Sequence, residues 1–135
     1  KLYSIKEPWT VNFLAEKITI EVLKSEEESK YRFGIDTRLA YKDERDYLLA
    51  SLAKIKGMRT YKTDSAFILV EIDKGCGHTA GSLKDVLVRD HSILIRDASD
   101  FWGLDSSFIR LAIKDRGSNE ALIEALLSIF GKENL

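Results

Sequence analysis

Residues 67–72 read Phe-Ile-Leu-Val-Glu-Ile, a nearly continuous apolar run rich in β-branched side chains. A run this short and this branched predicts a central β-strand, covered at least in part on both faces. Just upstream, Met58 and Thr60 supply a further β segment ahead of a loop. Downstream, Gly75, Gly77 and Gly81 break the strand, and Leu83, Val86 and Leu87 mark a short helix ending near Arg89. Residues 92–96 (Ser-Ile-Leu-Ile-Arg) and 108–113 (Phe-Ile-Arg-Leu-Ala-Ile) predict two more strands, separated by a loop over 97–107. Ser118 is the expected cap of a last helix that carries Leu122, Ile123, Leu126 and Ile129 and ends at Gly131.

Toward the amino terminus the period changes from two to 3.6. Val11, Leu14, Ala15, Ile18 and Val22 fall on one stripe and predict a helix over 10–23. Ser25-Glu26-Glu27-Glu28 then reads as a capping box. The helix it opens carries Tyr31, Ile35, Leu39, Leu48, Leu52 and Ile55, bridged by the charged stretch 42–46, with no proline before Gly57. That is about thirty residues, long for a globular domain, and at about 1.5 Å per residue it would project past a compact body of this size. It is therefore expected to link two bodies. The order α-α-β-β-α-β-β-α predicts the α+β class: a small, mainly antiparallel sheet with helices packed on one face, preceded by a long interdomain helix.

Composition narrows the function classes. The 135 residues suit one domain or one piece of a larger protein, and the 44% hydrophobic content is enough for a real core. The chain starts at Lys1 instead of Met, so it is expected to be cut from a longer parent or processed. Its 21 Lys and Arg against 22 Asp and Glu leave a net charge of −1 with no dense basic block, which disfavours nucleic-acid binding. A single cysteine, Cys76, cannot close an intrachain disulfide and is compatible with a reducing cytoplasm. No apolar run approaches the roughly 20 residues of a membrane span.

Cys76-Gly77-His78 offers two zinc-ligand types, but His91 is the only other histidine and the second ligand pair is missing, so a flexible glycine loop is the better account and no metal is expected. The glycines form no GxxxxGK[ST] phosphate loop and no GxGxxG turn. Trp9 and Trp102 sit in predicted loops, as core or as contact residues. Arg96 and Arg110 each end or interrupt an apolar β pattern. A guanidinium there either points outward into water or meets an anion, since its desolvation is otherwise costly. In the second case the two forks face one cleft and bind carboxylate or phosphate with bidentate geometry.

The run 93–96, then 97–99, Phe101, Gly103-Leu104-Asp105, Phe108-Ile109-Arg110, Ala112-Ile113 and Asn119-Glu120 resembles the carboxy-terminal part of fold-type I, pyridoxal-phosphate-dependent aminotransferases. Within that family the resemblance is greatest to threonine-phosphate decarboxylases of cobalamin biosynthesis, and next to histidinol-phosphate aminotransferases. Pro8-Trp9-x-Val11-Asn12 and the Gly-Leu-Asp before the second arginine favour the decarboxylase branch. The resemblance implies a segment over 1–24 with the first helix, and over 25–135 the small domain of an enzyme whose large cofactor domain lies upstream. It implies that Arg110 binds the α-carboxylate of an amino-acid substrate and Arg96 its phosphate, in a cytoplasmic homodimer. Ser65-Ala66-Phe67 stands where the family usually has Ala-Asn-Phe or Ala-Asn-Tyr. The family's Schiff-base lysine has no counterpart, because Lys6, Lys17 and Lys84 stand in no matching motif. No catalytic residue and no pyridoxal phosphate are therefore expected in the isolated chain. The rival reading is a stand-alone α+β module that uses the same sheet to bind a small acid or to dimerise.

Overall fold

The computed structural model describes residues 12–24 and 28–131, with the backbone alone for 28–31. The chain divides into two compact units, Lys1–Thr37 and Arg38–Leu135. In the first, α1 (Phe13–Lys24) follows the predicted stripe, and the Asn12 side-chain oxygen accepts from the Ala15 N–H at 2.8 Å, satisfying one of the free donors of the helix start. None of its residues is buried, and Leu14, Ile18 and Val22 stand exposed. Pro8, Trp9, Val11 and the Ser25 capping box lie outside the described residues.

The second helix, α2 (Glu28–Leu52), has 25 residues and stops short of the expected Gly57. Its ladder tightens at Lys54 N–H to Ser51 C=O and Ile55 N–H to Leu52 C=O, and Gly57 takes a φ of +79°. A Cβ at Gly57 would lie 2.0 Å from Cys76 Sγ, so this reversal needs glycine both for its left-handed backbone and for the close approach.

The chain then enters β1 (Met58–Thr60), β2 (Phe67–Ile72), α3 (Ala80–His91), β3 (Arg96–Asp97), β4 (Phe108–Ala112) and α4 (Arg116–Phe130). The sheet order is β1-β2-β4-β3, and every neighbouring pair is antiparallel. It follows that β2 and β3 run parallel with β4 between them, a connection that needs a long crossover, which α3 provides.

Alternation in the central strands assigns the two faces. Ile68, Val70 and Ile72 of β2 and Ile109 and Leu111 of β4 are buried against Leu48 and Leu52 of α2, Leu83 and Leu87 of α3, and Leu122, Leu126 and Phe130 of α4. The intervening residues Phe67, Leu69 and Glu71, with Phe108, Arg110 and Ala112, form the other face, where they are half-buried or exposed. The fold is the expected α+β layer with helices on one face.

Two local expectations are corrected. The strand expected over 92–96 is reduced to Arg96–Asp97, because Ser92 closes α3 in a left-handed conformation (φ 57°) and its backbone N–H bonds back to helix carbonyls. Ile95 still buries its side chain without joining the ladder. At α4 the cap is Asp115 and not Ser118: the Asp115 carboxylate accepts from the Ser118 N–H at 3.0 Å and from its hydroxyl at 2.8 Å. Carboxylate and hydroxyl both cap well, and the sequence offered both three residues apart.

Candidate anion-binding site

The register of β3 on β4 places Arg96 directly opposite Arg110. Side chains opposed across a strand pair share one face, with Cα atoms typically about 4.5–5.5 Å apart. Arg110 lies out of register with the buried Ile109 and Leu111, so both guanidiniums stand on the face without helices. A hollow of about 540 Å³ there is lined by Phe67, Lys84, Leu94, Arg96, Arg110 and Ala112, among others.

The two arginines are held differently. Arg96 donates from Nη2 to the Asp100 carboxylate, and its Cζ lies 5.7 Å from the centre of the Phe101 ring. Arg110 forms no ion pair among the described residues. Its Cζ sits 4.5 Å from the Phe67 ring centre and 5.8 Å from that of Phe101. Like charges directly opposite one another on a sheet are destabilising. A face that holds them there, with one guanidinium flanked by rings, is suited to an anion that neutralises both.

The loop between β3 and β4 is firmly tied. Asp97 accepts from the Ser99 N–H at 2.9 Å, a bond that holds its carboxyl below the usual range. The Asp105 carboxylate takes the Ser107 hydroxyl and backbone N–H and the Lys74 ammonium, and these bonds lower its pKa strongly. Ser107 C=O in turn receives Ile72 N–H at 2.8 Å, and Ser106 C=O receives Ala80 N–H at 2.7 Å, fixing the loop to β2 and to the start of α3.

Of the residues singled out by sequence, Arg96 and Arg110 come together. Trp102 is fully exposed, which removes its core reading. Cys76 is half-buried beside the core, and the His78 ring lies 5.6 Å from that of Phe130. Among the described residues no group of three or more His, Cys, Asp or Glu is arranged to hold a metal ion, and no helix is long and apolar enough to cross a membrane. Sequence reading named Phe67 and Phe101 without assigning either to the site, and did not single out Asp100. The signal for Phe67 was present, since it shares the out-facing parity of Leu69 and Glu71, whereas Asp100 and Phe101 reach the site through a loop with no periodicity to read.

A fit for pyridoxal phosphate can be tested on the same face. Its side-chain donors are the two guanidiniums and the Lys84 ammonium, its one acid, Asp97, accepts from the Ser99 N–H, and no serine stands among the lining residues to build a phosphate cradle. These residues suit an anion and do not fit the cofactor.

No family model matches the chain. It is 38% identical over 130 residues to a protein of Caldanaerobacter subterraneus subsp. tengcongensis whose name, threonine-phosphate decarboxylase, is itself provisional; the match covers 96% of this chain and 33% of that protein. It is 33% identical to a histidinol-phosphate aminotransferase of Methanosphaera stadtmanae, over 96% of this chain and 33% of that one. Among solved structures it is similar to the histidinol-phosphate aminotransferase from Clostridium acetobutylicum, with a TM-score of 0.73 and 30% identity, covering 97% of this chain and 37% of the other. The chain thus spans about a third of the length of the curated relatives it matches. Sequence and fold agree that the homologues and structural neighbours of this chain are pyridoxal-phosphate-dependent proteins of the aminotransferase fold, threonine-phosphate decarboxylases and histidinol-phosphate aminotransferases among them.

Proposed function

We propose that the chain is the carboxy-terminal, substrate-binding domain of a pyridoxal-phosphate enzyme acting on a phosphorylated amino acid, in the manner of threonine-phosphate decarboxylase. The observation that carries this reading is the cross-strand pair Arg96 and Arg110 on the open face, the second without a carboxylate partner among the described residues. Arg110 takes the α-carboxylate in a bidentate grip, and Arg96 takes the phosphate. When bound in the complete protein, pyridoxal phosphate supplies the electron sink. The task of this domain is to hold the substrate carboxylate at a fixed angle, which a guanidinium on a strand does with little loss of orientation. The cofactor domain lies outside these 135 residues, and the complete enzyme is a cytoplasmic homodimer on the same analogy.

In the full-length protein, Arg110→Ala is expected to lower kcat/KM for all amino-acid substrates by a factor equivalent to about 2–5 kcal/mol, because a charged contact to the substrate is lost. Arg96→Ala should raise KM for phosphorylated substrates alone. Equal losses on phosphorylated and plain amino acids would assign Arg96 a structural role. Mixed with pyridoxal phosphate, the isolated chain should form no stoichiometric, borohydride-trappable adduct at a single lysine, and such an adduct would overturn the division of labour. A transaminase reading is favoured by the 33% identity to a histidinol-phosphate aminotransferase. Release of carbon dioxide without a 2-oxo product separates the two.

A further inference from the structure

We propose that Phe101 is a positioning residue for both anion-binding arginines, a single ring that sets the spacing of the two guanidiniums. This deepens the anion-site reading above and rests on it.

Among the described residues Phe101 is the one aromatic ring in contact with both: Arg96 Cζ is 5.7 Å and Arg110 Cζ 5.8 Å from its centre, each inside the roughly 6 Å range of a cation–π contact. Phe67 approaches Arg110 alone. Phe101 takes no part in the hydrophobic core and keeps 43% of its surface exposed, so burial of apolar area does not explain why an aromatic ring stands there. Its backbone is fixed where it stands. Phe101 N–H donates to Ala98 C=O at 3.1 Å, Leu104 N–H donates to Phe101 C=O at 3.0 Å, and Ala98 is anchored to β4 by its N–H to Phe108 C=O at 3.0 Å. Asp100, the preceding residue, holds the edge of the Arg96 guanidinium while Phe101 meets it over the ring.

The physical need is clear from the register. Two like charges opposed on one sheet face repel, and each long side chain has many rotamers to lose on binding an anion. The negative π cloud of one ring, within reach of both cations, offsets part of the repulsion and restricts both forks before a ligand arrives. A carboxylate and a phosphate a few bonds apart on one molecule then meet a pair already spaced to receive them.

The test is calorimetric titration of the full-length protein with L-threonine, which engages Arg110, and with O-phospho-L-threonine, which engages both arginines. At about 0.5–1 kcal/mol per exposed contact, Phe101→Leu should weaken threonine binding about two- to fivefold and phosphothreonine binding by roughly the square of that factor. Phe67→Leu should move both ligands by one common factor. Phe101→Tyr should restore most of the loss, since it keeps the ring where leucine keeps only the bulk. In an Arg96→Gln background the extra loss on phosphothreonine should vanish. Equal factors for the two ligands in Phe101→Leu, or no rescue by tyrosine, would overturn the proposal while leaving the anion site standing. If Arg96→Gln and Arg110→Gln alter neither titration, the anion-site reading fails, and the role of Phe101 with it.

Discussion

The two faces of β2 and β4 are built from alternate residues of the same few strands, yet they obey different rules. Ile68, Val70, Ile72, Ile109 and Leu111 point one way into a layer of helices and are almost wholly buried. Phe67, Leu69, Glu71, Phe108 and Arg110 point the other way, and there the side chains pair with each other: Tyr61 donates to Glu71 at 2.7 Å, Arg59 lies over Tyr61, and Arg110 lies over Phe67. The first face gains its stability from apolar area removed from water. The second holds two cations opposite one another, a cost that the flanking rings offset only in part, and so it is the face on which the proposed anion site stands.

The sharpest way to break this contrast is to mutate two adjacent residues of β4. Leu111→Ala, at a fully buried site, should cost about 2–5 kcal/mol in urea unfolding of the chain. Arg110→Ala next to it should cost no more than about 1 kcal/mol, the worth of an exposed ring contact. Equal costs would mean that the open face is structural. On the helical side, Asn119 is 1% exposed and donates to Glu44 at 2.9 Å and to Lys114 C=O at 2.8 Å while accepting from Lys114 N–H. Asn119→Ala strands these groups and should cost about 1–3 kcal/mol, measured in the same way.

The smallest effect expected is a dependence on acid. The carboxyls of Glu44, Asp105 and Asp115 are all lowered in the folded chain, by hydrogen bonds from Arg116, from Ser107 and from Ser118 respectively. A lowered native value means that the unfolded chain binds more protons, so their stabilisation is present above about pH 4 and is lost as the pH falls below it. Tm should therefore drop on acidification, and the drop should be shallower in Asp105→Asn. A slope unaltered by that substitution would show that the ties of the β3–β4 loop to Asp105 contribute nothing.

Much of this was legible without coordinates. Residues 67–72 announced themselves as a strand because the branched apolar residues Ile68, Val70 and Ile72 have no other economical home. The order of elements followed from where the period switches between 2 and 3.6, and the stripe of α1 from 3.6-residue spacing alone. The Ser92 reversal was not legible, because Ser-Ile-Leu-Ile-Arg satisfies every local rule for a strand and only the α3 carbonyls above Ser92 end the helix at that residue. Asp115 took the cap from Ser118 by a choice between two good cappers that local chemistry does not rank.

For this protein the order of residues determined the element types and the class of the fold, and it singled out two cations as candidates, since periodicity and the cost of an arginine in an apolar strand are local properties. The tertiary structure alone decided that Arg96 stands opposite Arg110, which ring they share and that Asp100 is the carboxylate Arg96 meets. Those depend on strand register and on a loop that carries no period. Register is set by hydrogen bonds between segments distant in sequence, and a shift of one residue would have sent Arg110 into the core and Leu111 into water.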